Sequence, residues 1–380
     1  MASLRDKLRA TAPQKKMPPR EIKTNCMIKE IKYPLNQFDL PVFISGESLH
    51  MMHGGEFSDC RREDFLFLDT ETTGLSHGAG TVAFLVGVGY FTDECFIVRQ
   101  YLMRDYDEEQ FLLAHTAFDI REKKLLCTFN GATFDLPLLE VRFTMQRMRE
   151  EYEKKPHLDL LPISRRVWKL RLKKCNLTAL ECAVLGEERE DDLPGALVPE
   201  RYFSFLKTRD FSLLDDILSH NEQDIVSLAH ILNRLLQLHE APLLAKNPED
   251  LFSLGRIYEK RGKHEGARNC YRAADQGIVS ALARNSMAES YRKNGDWEEA
   301  AKIYQRMIAS HQGGIAPLIA MAKICEHRKR DIAAAIEYTR KAISMAAERD
   351  DSDMAALQKR YQRLMYKARR ELENGIHGRD

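Results

Sequence analysis

Residues 65–75, FLFLDTETTGL, constrain the fold more than any other stretch of this chain. Phe65 to Leu68 is an apolar run with no polar alternation, which predicts a strand in the middle of a sheet covered on both faces. Strand side chains alternate, so Asp69 and Glu71 at its end project from one face. Two carboxylates so close repel and resist ionising together, an arrangement suited to a divalent cation. A solvated polar strand end is the alternative reading of the pair taken alone.

Around this strand the pattern alternates between strand and helix. Thr81 to Phe91 and Cys95 to Leu102 flank a turn at Thr92-Asp93-Glu94 and predict a hairpin. Asp107 to Phe118 predicts a helix, Leu125 to Phe129 a second buried strand, and Asp135 to Met148 a helix. A short strand follows near His157 to Leu160, and everything after it reads as helical. The expected architecture is an α/β domain with a mixed central sheet flanked by helices. Its proposed limits are 63–240, preceded by a basic mobile tail at 1–24 and by an extension at 25–62 packed on the domain.

Two further segments place acids where chemistry needs them. In LLCTFNGATFDLPLL, residues 125–139, a buried strand runs through Asn130 and Phe134 into a helix starting near Asp135. Asp135 suits a helix cap as well as a metal ligand. In SHNEQDIVSLAHILNRL, residues 219–235, Asp224 lines up with Leu228, Ile231 and Leu235 on the inward face of a helix, with His220 one turn earlier. A carboxylate on that face needs a partner, either a metal or a buried salt bridge.

Taken in order, Asp69-Thr-Glu71-Thr-Thr-Gly-Leu, Asn130-Gly-Ala-Thr-Phe134-Asp135 and His220-Asn-Glu-Gln-Asp224 resemble the three motifs of the DEDD exonuclease superfamily, which has an RNase H-like fold. The resemblance spans about Phe65 to Leu235, and DDLPGALVPERY at 191–202 adds a likeness to a YprB-like bacterial group that joins such a domain to tetratricopeptide repeats. It implies a 3′-5′ exonuclease in which Asp69, Glu71, Asp135 and Asp224 hold two divalent ions, Mg²⁺ or Mn²⁺. Glu71 and His220 would serve catalysis, His220 as general base. Thr72, Gly74, Leu75, Asn130 and Phe134 would seat the 3′ end of DNA or RNA. His220 stands four residues before Asp224, the spacing at which one branch of the superfamily has Tyr; the branch with His has it five before. One residue on a helix turns a side chain by about 100°. An inactive interaction scaffold and an RNase H-like endonuclease are the rival functions.

From Leu251 onward strand signals give way to Ala, Arg, Lys and Glu. Tyr258, Ala267 and Tyr271 recur 33 residues later as Tyr291, Ala300 and Tyr304, close to the period of a tetratricopeptide repeat. An all-α repeat domain at 248–375 is expected, with a looser third copy, a capping helix from Met354 to Glu373, and a concave face for a protein partner. The run RRVWKLRLKK, residues 165–174, is either a phosphate-binding patch with Trp168 stacked on a base or a helix with Trp168 in the core. A net charge of +1 leaves nucleic-acid binding to such local patches. Eight cysteines without CxxC pairs argue against zinc and disulfides. With no secretory or membrane-spanning apolar run, a cytoplasmic protein is the expectation.

Overall fold

In a computed structural model, residues 25–74, 80–149, 153–189, 193–347 and 354–376 of the chain are described. The expected tail at 1–24 and Leu75 lie outside them. Strand β4, the acid-bearing Phe65–Thr72, takes an inner place in a six-stranded sheet. In chain order the strands are β1 (Met27–Pro34), the short β2 (Phe43–Ile44) and β3 (Cys60–Arg61) that pair only with each other, β4, β5 (Ala83–Phe91), β6 (Cys95–Leu102), β7 (Leu125–Thr128) and β8 (His157–Asp159). The large sheet runs β1-β6-β5-β4-β7-β8. β4 is antiparallel to β5 and parallel to β7, and β7 is parallel to β8, so the sheet is mixed.

The helices of this part are α1 (Gly46–His53), α2 (Glu109–Glu122), α3 (Asp135–Met145), α4 (Leu160–Trp168), α5 (Leu177–Leu180), α6 (Val198–Thr208) and α7 (Ser212–Glu240). They bury both faces of the sheet, which is why β4 has no polar alternation. Leu66 and Leu68 face a core with Leu112, Leu139, Tyr202 and Ile217, while Phe65 and Phe67 face another with Ile163, Trp168, Ile225 and Leu228. Trp168 is only 1% exposed, so it fills the core and is not available to stack on a base. β1 differs from its expectation as part of a packed extension. Its eight residues pair in full register with β6, and burial alternates along it as it does along an edge strand with one wet side.

The helix-rich C-terminal part follows as α8 (Pro248–Lys260), α9 (His264–Ala273), α10 (Ser280–Lys293), α11 (Trp297–Ala309), α12 (Ala316–Ile324), α13 (Ile332–Ala347) and α14 (Met354–Ile376). The recurring small and aromatic residues do complementary work in it. Tyr271 and Tyr304 are buried against Ala267, Ala288 and Ala300. A Cβ at Gly255 would lie 2.6 Å from the Tyr271 ring, so that glycine lets α8 and α9 close together. Leu235, Leu236 and Leu238 at the end of α7 share one core with Leu251, Leu254 and Tyr271, and Arg171 grips Asp250 at 2.9 Å. The α/β part and the first helical hairpin therefore pack without a break.

Candidate active site

Three elements bring the acids of the three motifs together. β4 carries Asp69 and Glu71, the first turn of α3 carries Asp135, and the middle of α7 carries His220 and Asp224. Asp69 lies in the field of all the others. Burial holds its carboxyl well above the ordinary range, and the charges of Asp224, Asp135 and Glu71 push it further the same way. Burial also pushes Asp135 up to about 6, against the hydroxyl of Thr70, which donates to its Oδ1 at 2.6 Å. Asp224 is raised by burial and partly restored by His220 and Arg189.

Each of these aspartates is held by a donor of the chain itself. Asn221, fully buried, donates its Nδ2 to Asp69 Oδ2 at 2.9 Å and accepts from Gln100 at 3.0 Å. Opposite Asp69 on β5 sits Gly87, and any side chain there would collide with Asn221. The register of two strands and the choice of glycine thus serve one hydrogen bond. The capping alternative for Asp135 does not account for it: the residue at the cap is Phe134, and Asp135 bonds Thr70 across 65 residues of sequence.

Arg189 is the partner that no motif announced. It forms a two-pronged pair with the fully buried Glu181, at 2.6 Å for each hydrogen bond, and donates at 2.5 Å to Asp224 Oδ1. Ser227 on α7 also donates to Glu181. The Nη1 of Arg189 lies 3.1 Å from His220 Nδ1. A guanidinium only donates, so Nδ1 is the acceptor and, in the neutral ring, Nε2 carries the proton. That Nε2 stands 3.9 Å from Glu71 Oε1 and 3.7 Å from Asp224 Oδ2. In sequence Arg189 sits in GEERED, which reads as a solvated charged loop, and nothing in that stretch signals its inward role.

The loop between β7 and α3 is shaped by another residue outside the motifs. Asp159, at the end of β8, accepts from the backbone N–H groups of Asn130 at 2.8 Å, Ala132 at 3.2 Å and Leu161 at 3.0 Å. Asn130 has a φ of 69°, the left-handed conformation Asn tolerates better than most side chains. Thr72 donates to the carbonyl of Gly74 at 2.8 Å, fixing the turn that leaves β4.

The donor set is chemically right for a hard divalent cation, since every anionic group is a carboxylate and their mutual repulsion is relieved by added positive charge. Its spacing is a separate matter. Among the described residues, no group of three or more His, Cys, Asp or Glu side chains is gathered closely enough to hold an ion. The acids meet within electrostatic reach, and Asp69, Asp135 and Asp224 are each drawn toward an internal donor.

Similarity to two known families agrees with this architecture. Residues 66–236 match the RNase H superfamily, and residues 283–313 match the tetratricopeptide repeat. The α/β domain is RNase H-like. Over 361 residues the chain is 28% identical to the protein YprB of Bacillus subtilis, covering 90% of this chain and 86% of that one. Among solved structures it resembles the family B DNA polymerase of Pyrobaculum calidifontis, with 13% identity and a TM-score of 0.36. That alignment covers 52% of this chain and spans 29% of the polymerase. No helix of the described residues is long and apolar enough to cross a membrane.

Proposed function

We propose that residues 63–240 form a metal-dependent 3′-5′ exonuclease of the DEDD type, with a repeat domain at 248–375 serving a protein partner. The observation that carries the reading is the convergence on Asp69 of charge from Glu71, Asp135 and Asp224, acids drawn from three elements far apart in the chain. Burying several like charges is expensive, and a counter-cation is what removes that cost.

Asp69, Glu71, Asp135 and Asp224 would hold two ions, Mg²⁺ or Mn²⁺. When bound, such ions neutralise charge developing on the scissile phosphate and make water a stronger acid. The protein's own part is positional. Asn221 and Thr70 orient the carboxylates of Asp69 and Asp135. The turn of Thr72 and Gly74 and the loop of Asn130 and Phe134 seat the terminal nucleotide. His220, with Nδ1 accepting from Arg189, presents an N–H at Nε2 and orients water or phosphate as a donor. A general-base role at Nε2 would require Arg189 to release Nδ1.

One observation favours a second reading, the inactive scaffold: the guanidinium of Arg189 already supplies positive charge to Asp224. The test is incubation of the full chain with 5′-labelled single-stranded and duplex DNA and RNA in Mg²⁺ or Mn²⁺. A ladder shortening from the 3′ end supports the exonuclease, and internal cuts mean an endonuclease. No products at any metal concentration would leave the scaffold.

A further inference from the structure

The basic run at 165–174 keeps Arg165, Arg166, Lys169, Lys173 and Lys174 exposed, and the first three of these face a neighbouring helix. Its helix, α4, packs beside α8, and between them is a cleft of about 500 Å³ with Arg165, Arg166 and Lys169 on one wall and Arg256 and Lys260 on the other. Among the described residues no Asp or Glu lines it, and none of the five forms an ion pair with a described residue. Elsewhere in the helical part, cations are paired one turn away along the helix, as in Glu289 with Arg292, Glu299 with Lys302 and Glu337 with Arg340. In the cleft the neighbours one turn apart, Arg165 with Lys169 and Arg256 with Lys260, are of like charge and repel. Arg166 also donates to the carbonyl of Met52 at 2.8 Å, and Glu259 and Glu289 stand on the far side of Arg256 and Lys260, but two facing rows of cations with no acid between them attract a polyanion.

The position of the cleft says which polyanion. α4 begins directly after Asp159, the residue that holds the backbone of Asn130 and Ala132. From Asp159 the helix rises about 9 Å to Arg165 and about 15 Å to Lys169. Cations four residues apart are separated by about 6 Å along the axis, the scale on which phosphates repeat in an extended single strand. The walls offer charge and no aromatic platform, a composition that reads a backbone and ignores bases.

We propose that the cleft between α4 and α8 binds the phosphodiester backbone of a single nucleic-acid strand whose end reaches the carboxylate cluster. The site rests on the nuclease reading for its direction, and for its chemistry only on the cations. It engages the strand upstream of the terminal nucleotides, so long substrates depend on it and very short ones do not.

The test uses the full chain with Arg165→Gln, Lys169→Gln, Arg256→Gln and Lys260→Gln combined, and a milder Arg256→Gln, Lys260→Gln pair in case the first does not fold, both checked by circular dichroism melting. Fluorescein-labelled dT and rU 20-mers are titrated in EDTA at several salt concentrations and followed by anisotropy. The fourfold variant should bind about tenfold or more weakly, and its log–log salt slope should fall by about 0.7 for each phosphate left without its cation. Hydrolysis of a trinucleotide should be unchanged. Affinity and slope equal to wild type, or a wild type that binds neither oligomer, overturns the proposal. So does polyglutamate that binds as tightly as the oligomers and is lost in the same variant, which would make the cleft a seat for an acidic protein. A wild type that hydrolyses nothing while the variant still loses oligomer binding refutes the exonuclease and leaves the cleft standing.

Discussion

The α/β domain and the helical part bury opposite kinds of residue. Around β4 the interior takes in Asp69, Asp135, Asp224, Glu181 and Arg189, each tied to a partner distant in sequence. The helical layers bury Ala267, Ala288, Ala300, Tyr271 and Tyr304 and leave most charges outside, paired along single helices. Buried charge is a weak source of stability and is often replaceable by apolar packing without loss. A domain that keeps so much of it is organised around its charged cluster, whereas one that packs small residues against tyrosines is organised around stacking.

The largest effect that tests this contrast is at the acids. Asp69→Asn or Asp224→Asn should lower metal-dependent hydrolysis by about a thousandfold or more, and at Asp69, whose charged neighbours are acids, removal of a repelling charge should leave Tm unchanged or raised. Activity that survives both substitutions would erase the contrast. Next is the support of the site. Glu181→Ala takes its two-pronged partner from the buried Arg189, which keeps only Asp224, and should cost about 2–3 kcal/mol in urea unfolding, a loss with no counterpart among the exposed ion pairs, where Glu299→Ala should cost under about 1 kcal/mol.

Two glycines separate the regions functionally. Gly87→Ala and Gly255→Ala each force a Cβ into a packed side chain and should destabilise by about 1–3 kcal/mol. Only the first, which displaces Asn221 from Asp69, should also depress hydrolysis measured well below its Tm. Equal activity in the two variants would detach Asn221 from the site.

The smallest effect lies at a place where the helical part, as at Asp250, resembles the α/β domain. Glu326, buried, is held down to about 2 by its hydrogen bond to Arg363, helped by Lys367. A carboxyl depressed in the folded state contributes stability above its unfolded value of 4.5, and loses it as pH falls from there toward 2. Between pH 6 and pH 3, wild type should therefore lose about 1 kcal/mol more than Glu326→Gln, allowing for solvent screening, as read from thermal melts. An identical loss in both would remove Glu326 as the clasp between α14 and the preceding repeat.

Much of the fold was legible because it is local. The unbroken run at Phe65 to Leu68, the hairpin of β5 and β6, and the 33-residue recurrence of Tyr258 at Tyr291 state which positions are inward without naming their neighbours. Trp168 was ambiguous because a buried and a stacking aromatic look alike in sequence. The sheet edge was missed for a related reason: β1 alternates like any half-buried strand, and only pairing with β6 assigns it to the sheet.

What the sequence by itself determined is therefore the identity and order of the acids, Asp69, Glu71, Asp135 and Asp224, and the kinds of element that carry them. Only the tertiary structure decided what those acids touch: Asn221 through the space left by Gly87, Thr70 across to α3, and Arg189 swung from a charged loop onto Asp224 and His220. Periodicity records the face a residue presents, set by a few bonds of backbone geometry. The partner on that face comes from chain segments many residues away, brought there by the packing of the whole sheet.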